Sequence, residues 1–174
     1  MSILSRFLRR DTPEPHGAVE TLLRERNIAF EVHHHPPAFS AQHLAACEHV
    51  PGKMVAKVVI AFADERMLML VLPATANVNL MKLAEATETE HVRVARENEF
   101  AAVFADCEVG AMPPFGNLYD LPVLVDRSLA EDEQILFQAG THTDTIRMTY
   151  ADFADVVHPR VADLASRTPC LPYR

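Results

Sequence analysis

Two apolar runs, MVAKVVIAF at 54–62 and RMLMLVLP at 66–73, are joined only by Ala63, Asp64 and Glu65. Runs of this length around a short polar break read as the two strands of a β-hairpin. In a strand alternate residues share a face. Val55, Lys57, Val59 and Ala61 point one way, and Ala56, Val58, Ile60 and Phe62 the other. Both faces are apolar, so the first strand is expected at the centre of a sheet covered on both sides. Lys57 then sets an ammonium group in the most apolar stretch of the chain. Burying that charge is costly unless it is paired or faces a cleft. Two readings stay open. The stem packs and the head reaches water at a strand edge, or the lysine enters a pocket and meets an anion or a developing oxyanion.

The rest of the chain supplies helices and further hairpins. In EPHGAVETLLRERNIAF, Val19, Leu22, Leu23 and Arg26 fall at helical spacing, and Asn27 ends the helix. AFEVHHH alternates as a strand and is stopped by Pro36 and Pro37. Ser40 can cap a short helix, AQHLAACEHV, ahead of Pro51-Gly52. NVNLMKLAEA reads as a helix capped by Asn77 or Asn79, and ENEFAAVF as another. LPVLVDRSL, EQILFQAG and DTIRMTY read as strands, and TYADFADVV as a closing helix before a loosely held TPCLPYR. Strands grouped in hairpins favour an α+β (mixed α/β) domain over a doubly wound sheet. The expectation is a single compact domain over 1–174, core about 16–157, with a mixed, largely antiparallel curved sheet and flanking helices.

A chain of 174 residues fits one domain and buries a core without disulfides. Cys47, Cys107 and Cys170 are odd in number and widely spaced, which suits a reducing compartment. No apolar run approaches the roughly 18 residues of a membrane span. MSILSRFLRR lacks a cleavage-type signal and reads as a mobile or partly helical start, so the cytoplasm is expected. A net charge of −8 argues against coating nucleic acid, DNA included, but leaves room for recognising one end of it.

Three further stretches carry candidate chemistry. GAMPPFG at 110–116 brackets two prolines and Phe115 between Gly110 and Gly116. The prolines stiffen the loop and remove two donors. That leaves the amides of Ala111 and Met112 for a carbonyl oxygen or carboxylate, unless the loop is a connector with Phe115 in the core. In AGTHTDTIRM, Gly140, Thr141 and His142 open a polar turn. There His142 is a candidate base or donor near neutral pH, although the stretch is also an adequate hairpin turn. His33, His35, His43, Cys47 and His49 make a metal site imaginable, but no closed ligand set appears, so neither metal nor cofactor is expected. Gly-x-Ser-x-Gly is absent, and Cys47 and Cys107 read as small core residues.

The ordered set of AKVVIAF, VNLMKLAEA, GAMPPFG, LPVLVDRSL and AGTHTDTIRM resembles the YbaK/ProX family of aminoacyl-tRNA deacylases, also found as the editing domain within bacterial prolyl-tRNA synthetases. The resemblance covers about residues 16–157. It implies a trans-acting hydrolase that cleaves the ester joining a wrong amino acid to tRNA, acting at the 3′ acceptor end. Ala- or Cys-tRNA(Pro), or a related small amino acid, is the implied substrate. Lys57 matches the functional lysine. Gly110, Ala111, Met112, Phe115 and Gly116 match the glycine-proline loop, and Gly140, Thr141 and His142 a pocket-lining turn. Met112 and Pro113 stand where the commoner Gly-x-x-Ser-Pro-Phe-Gly loop carries smaller polar residues, at positions that shape the amino-acid pocket. An aminoacyl-tRNA synthetase is a further implied partner. A non-catalytic module binding aminoacyl-tRNA, a synthetase or an amino acid is the alternative, and a small metal-binding protein a third reading.

Overall fold

The expected hairpin is the spine of the domain. In the computed structural model, which describes residues 15–166, β2 (Ala56–Ala63) and β3 (Arg66–Pro73) pair antiparallel, from Ala56 opposite Pro73 to Ala63 opposite Arg66. Asp64 takes φ +52° in the turn, a conformation Asp tolerates better than most residues. The strands β5 (Val92–Val94), β6 (Val123–Asp126) and β9 (Arg160–Ala162) extend the pair into a five-stranded sheet of order β5-β2-β3-β6-β9. A three-stranded sheet is formed by β1 (Glu31–His34), β8 (Asp144–Thr149) and β7 (Gln134–Gln138), in that order. The short pair β4 (Asn77–Val78) and β10 (Ala165–Ser166) closes one end. The β3/β6 and β6/β9 pairings are parallel and the others antiparallel, so the architecture is α+β with mixed, largely antiparallel sheets. A parallel bridge between Val55 and Leu136 joins the two larger sheets just before β2 begins.

Six helices flank these sheets among the described residues. The first, α1 (Pro15–Glu25), buries Val19 and Leu23 and is followed by Asn27 at φ +54°. The second, α2 (Ala41–Cys47), is capped by Ser40, whose hydroxyl accepts the His43 amide. Of the two candidate caps for α3 (Leu80–Thr87), Asn79 serves; its side chain accepts the amides of Met81 and Lys82. The expected ENEFAAVF helix is shorter than its sequence suggests. Only α4 (Glu97–Phe100) is helical, and hydrogen-bonded turns follow it. LPVLVDRSL is a strand only as far as Asp126. That side chain accepts the Ser128 amide and starts the single-turn α5 (Arg127–Ala130). The Asp126 carboxylate also takes the amides of Leu164 and Ala165 at 2.8 and 2.9 Å, fixing the segment after β9 to β6. The last helix, α6 (Tyr150–Val157), buries Phe153, Val156 and Val157. MSILSRFLRR and TPCLPYR, with Cys170, lie outside the described residues.

The faces of β2 divide as their alternation requires. Ala56 and Ile60, with Val58 and Phe62 beside them, face the main core with Phe115, Phe137 and Phe153. Ala61 and Ala63, with Val59, face a second core beneath α3. Val55 belongs to a third, with Leu44 and Leu136. Lys57 lies on the second face, in the interval between Val55 and Val59.

Candidate active site around Lys57

The interval is open to solvent on one side. Lys57 is only partly buried and lines a cleft of about 180 Å³ with Ser40, Gln42, Gly110, Met112 and Gln138. Burial lowers its pKa from the ordinary lysine value because water stabilises the ammonium form best. Its ammonium has no hydrogen-bond or ion-pair partner among the described residues. Three larger concavities, of about 930, 360 and 260 Å³, lie elsewhere. In the first of these, Lys53 and Lys82 are already paired with Asp132 and Asp163 at 3.2 and 3.0 Å. Volume therefore does not select the site. Lys57 brings a cation left without a counter-charge to a concave surface, where an anionic or polarised group would be attracted.

The loop facing it is held by the 139–144 turn. The Gly140 amide donates to the Ala111 carbonyl at 2.9 Å, and the Glu108 amide to the Gly140 carbonyl at 2.8 Å. Gly110 and Gly140 take φ +85° and +99°, which a side chain would strain. The Ala111 amide, expected to be available, donates to the Glu108 carbonyl at 3.0 Å because the loop folds back into a turn. The Met112 amide has no such partner among the described residues. The Met112 side chain belongs to the main core as well as the cleft wall, so the loop is anchored on its inner side.

Phe115 and Gly116 lie below this loop. Phe115 is fully buried, its ring 5.4 Å from Phe137 and 5.6 Å from Phe153 between centroids. A Cβ on Gly116 would stand 2.5 Å from Val123 Cγ2 and 2.7 Å from the Leu121 carbonyl oxygen. Both support the loop by close packing and do not line the cleft.

Thr141 and His142 are half-buried. The Thr141 hydroxyl donates to Asp144 at 2.5 Å and accepts the Asp144 amide at 3.1 Å, closing its own turn. His142 is a strut. Its amide donates to Glu108 Oε2 at 2.6 Å, its Nε2 lies 3.0 Å from the Val109 carbonyl, and its Nδ1 lies 3.2 Å from the Ala38 carbonyl. Gln138 Nε2 donates to the Ala38 carbonyl at 2.7 Å and stands 3.4 Å from Nδ1. Nε2–H donates to the Val109 carbonyl, while Nδ1 either accepts from Gln138 or donates to the Ala38 carbonyl, not both. His142 thus braces the 38–40 and 109–110 segments, with each ring nitrogen beside a backbone carbonyl.

Sequence reasoning did not single out Gln138 or Phe39, which also line the cleft. Gln138 carried a signal of the same kind as Lys57, a polar residue inside an apolar strand. The other histidines are dispersed. His33 bonds Glu48 at 2.7 Å, His34 bonds Asp144 at 2.7 Å, and His35 Nδ1 lies 2.7 Å from the Pro36 carbonyl. Among the described residues, no three His, Cys, Asp or Glu side chains are placed to hold one metal ion. The Cys107 thiol is pushed up to about 11, chiefly by burial, so little of it is the nucleophilic thiolate at neutral pH.

The mixed α+β fold is also that of known structures. A hypothetical protein designated APE2540 superposes with a TM-score of 0.78 at 21% identity, covering 85% of this chain and 99% of that one. A candidate trans-editing enzyme for prolyl tRNA synthetase superposes at 0.77 with 18% identity, covering 88% and 98%. No curated protein matches the sequence. The aminoacyl-tRNA editing domain profile matches residues 35–156, most of the chain, and the chain belongs to that family, the YbaK family. No helix among the described residues is long and apolar enough to cross a membrane.

Proposed function

We propose that the chain is a trans-acting deacylase, hydrolysing the ester between a small amino acid and the 3′-terminal ribose of a mischarged tRNA, with Ala- or Cys-tRNA(Pro) the foremost substrates. The observation that carries this reading is Lys57, a partly buried ammonium without a counter-charge, opposite the stiff Gly110–Met112 loop in a cleft of about 180 Å³. Water adds to the ester carbonyl carbon, the bond to the ribose oxygen breaks, and the amino acid and an uncharged tRNA leave. Lys57 stabilises the oxyanion or anchors the terminal phosphate, and the Met112 amide is a second donor toward the same oxygen. The ester is already activated and the ribose 2′-hydroxyl can assist the water, so the bracing of His142 does not obstruct the reaction. A cleft this small lies below the roughly 300 Å³ of a typical ligand pocket, which suits a small side chain and excludes a bulky one by volume. The site of action would be the cytoplasm, with a synthetase as a further partner.

One observation favours a second reading, a non-catalytic module that binds aminoacyl-tRNA. The cleft lining includes no carboxylate and no free imidazole. A panel of mischarged tRNAs separates the two. Release of at least one small amino acid, abolished by Lys57→Ala, supports the deacylase. A panel left fully charged would refute it.

A further inference from the structure

Phe39 is exposed to 73% although it belongs to a rigid segment. On one side the Ala38 amide donates to the His142 carbonyl at 2.9 Å, and the Ala38 carbonyl accepts Gln138. On the other, Ser40 is fixed as the cap of α2. Pro36 and Pro37 precede it. The Phe39 ring rests on His142, centroids 4.8 Å apart and planes tilted by 49°. The backbone is held, the ring is backed on one side, and most of its surface faces solvent at the rim of the Lys57 cleft.

We propose that Phe39 is a stacking platform for the 3′-terminal base of the bound RNA. The inference rests on the deacylase reading for the identity of the ligand, and it concerns a part of that ligand the cleft cannot hold. A volume of about 180 Å³ takes a small aminoacyl group and leaves no room for the attached nucleoside. With the ester at Lys57, the base must lie outside the cleft, across its rim. Phe39 is the aromatic side chain of that rim. Stacking needs only a π-face, so it supplies affinity for a nucleic-acid end without a basic surface, in keeping with a net charge of −8. A Phe39 that instead contacted the amino-acid side chain would be expected inside the cleft.

The sequence contains no tryptophan, so Phe39→Trp introduces a single tryptophan, excited apart from the tyrosines, at the point in question. Titration with a short single-stranded RNA ending in CCA should quench it, and the same RNA with an abasic 3′ terminus should quench it far less. In hydrolysis, Phe39→Ala should lower the preference for aminoacyl-tRNA over an aminoacyl ester lacking a nucleobase by about ten-fold or more, mainly through KM, with Phe39→Tyr restoring it. Equal quenching by both RNAs, or an unchanged preference in Phe39→Ala, overturns the platform. Base-dependent quenching without hydrolysis of any charged tRNA would retain the platform and remove the deacylase.

Discussion

The amide of Gly140 donates to the carbonyl of Ala111 at 2.9 Å, and this bond ties the loop that walls the Lys57 cleft to the 139–144 turn. Gly140 holds φ +99° to make it. Gly140→Ala puts a side chain in a region that costs an L-residue about 1–2 kcal/mol. We expect a Tm lower by several degrees and a larger loss of deacylation, because the loop carrying the Met112 amide is released. Thermal unfolding and single-turnover hydrolysis measure the two effects. Activity at the wild-type level would show that the bond does not position the loop.

Lys57→Met separates function from stability. A lysine whose folded pKa lies below its unfolded one opposes folding while it is charged, at neutral pH, and ceases to do so as pH rises. Burial shifts Lys57 in that direction. The methionine variant should therefore unfold at the wild-type temperature or above it and lose nearly all deacylation. A marked drop in Tm would make Lys57 a structural residue.

Phe115→Ala tests the inner side of the loop. It removes a fully buried ring from a three-phenylalanine contact and should cost about 3–5 kcal/mol. Phe115→Leu keeps most of the volume and should retain most activity. If Phe115→Leu kept its stability but altered which amino acid is released, Phe115 would contribute to selectivity and not to packing alone.

His33 makes stability depend on pH. Its pKa is raised, first by the hydrogen bond to Glu48 and then by Glu31, with burial opposing. A raised folded value contributes stability that is complete below the unfolded value of about 6.5 and disappears as pH rises through the folded one. Wild type should exceed His33→Gln in Tm at pH 5.5 and converge with it near pH 8. A gap that widens toward alkaline pH would contradict the assignment.

The parts of the fold legible in the sequence are those written in local pattern. Apolar residues on both faces announced the hairpin, Ser40 and Asn27 marked helix ends by their own chemistry, and the cap of α3 was narrowed to Asn77 or Asn79. Lys57 was legible as an exception to its surroundings. The strands β4, β5, β9 and β10 were not. They have two or three residues each and pair because a neighbouring edge is present, as Val92–Val94 does along Ala61–Ala63. The turn that uses the Ala111 amide and the brace made by His142 depend on contacts between distant segments. Glycines and prolines announced a stiff loop without saying which of its donors were spent. Phe39 carried no pattern at all, since its exposure follows from how its neighbours are tied.

The division of β2 between separate cores has a consequence for how the site arises during folding. Ala56 and Val58, on either side of Lys57, face the core that holds Phe115. A slip of one residue in the hairpin would exchange the faces and drive the ammonium among those rings. Such misaligned chains would be rejected by their own instability. Lys57 is thus set in place by the same selection that completes the interior, and an assembled molecule with its lysine on the wrong side should be vanishingly rare.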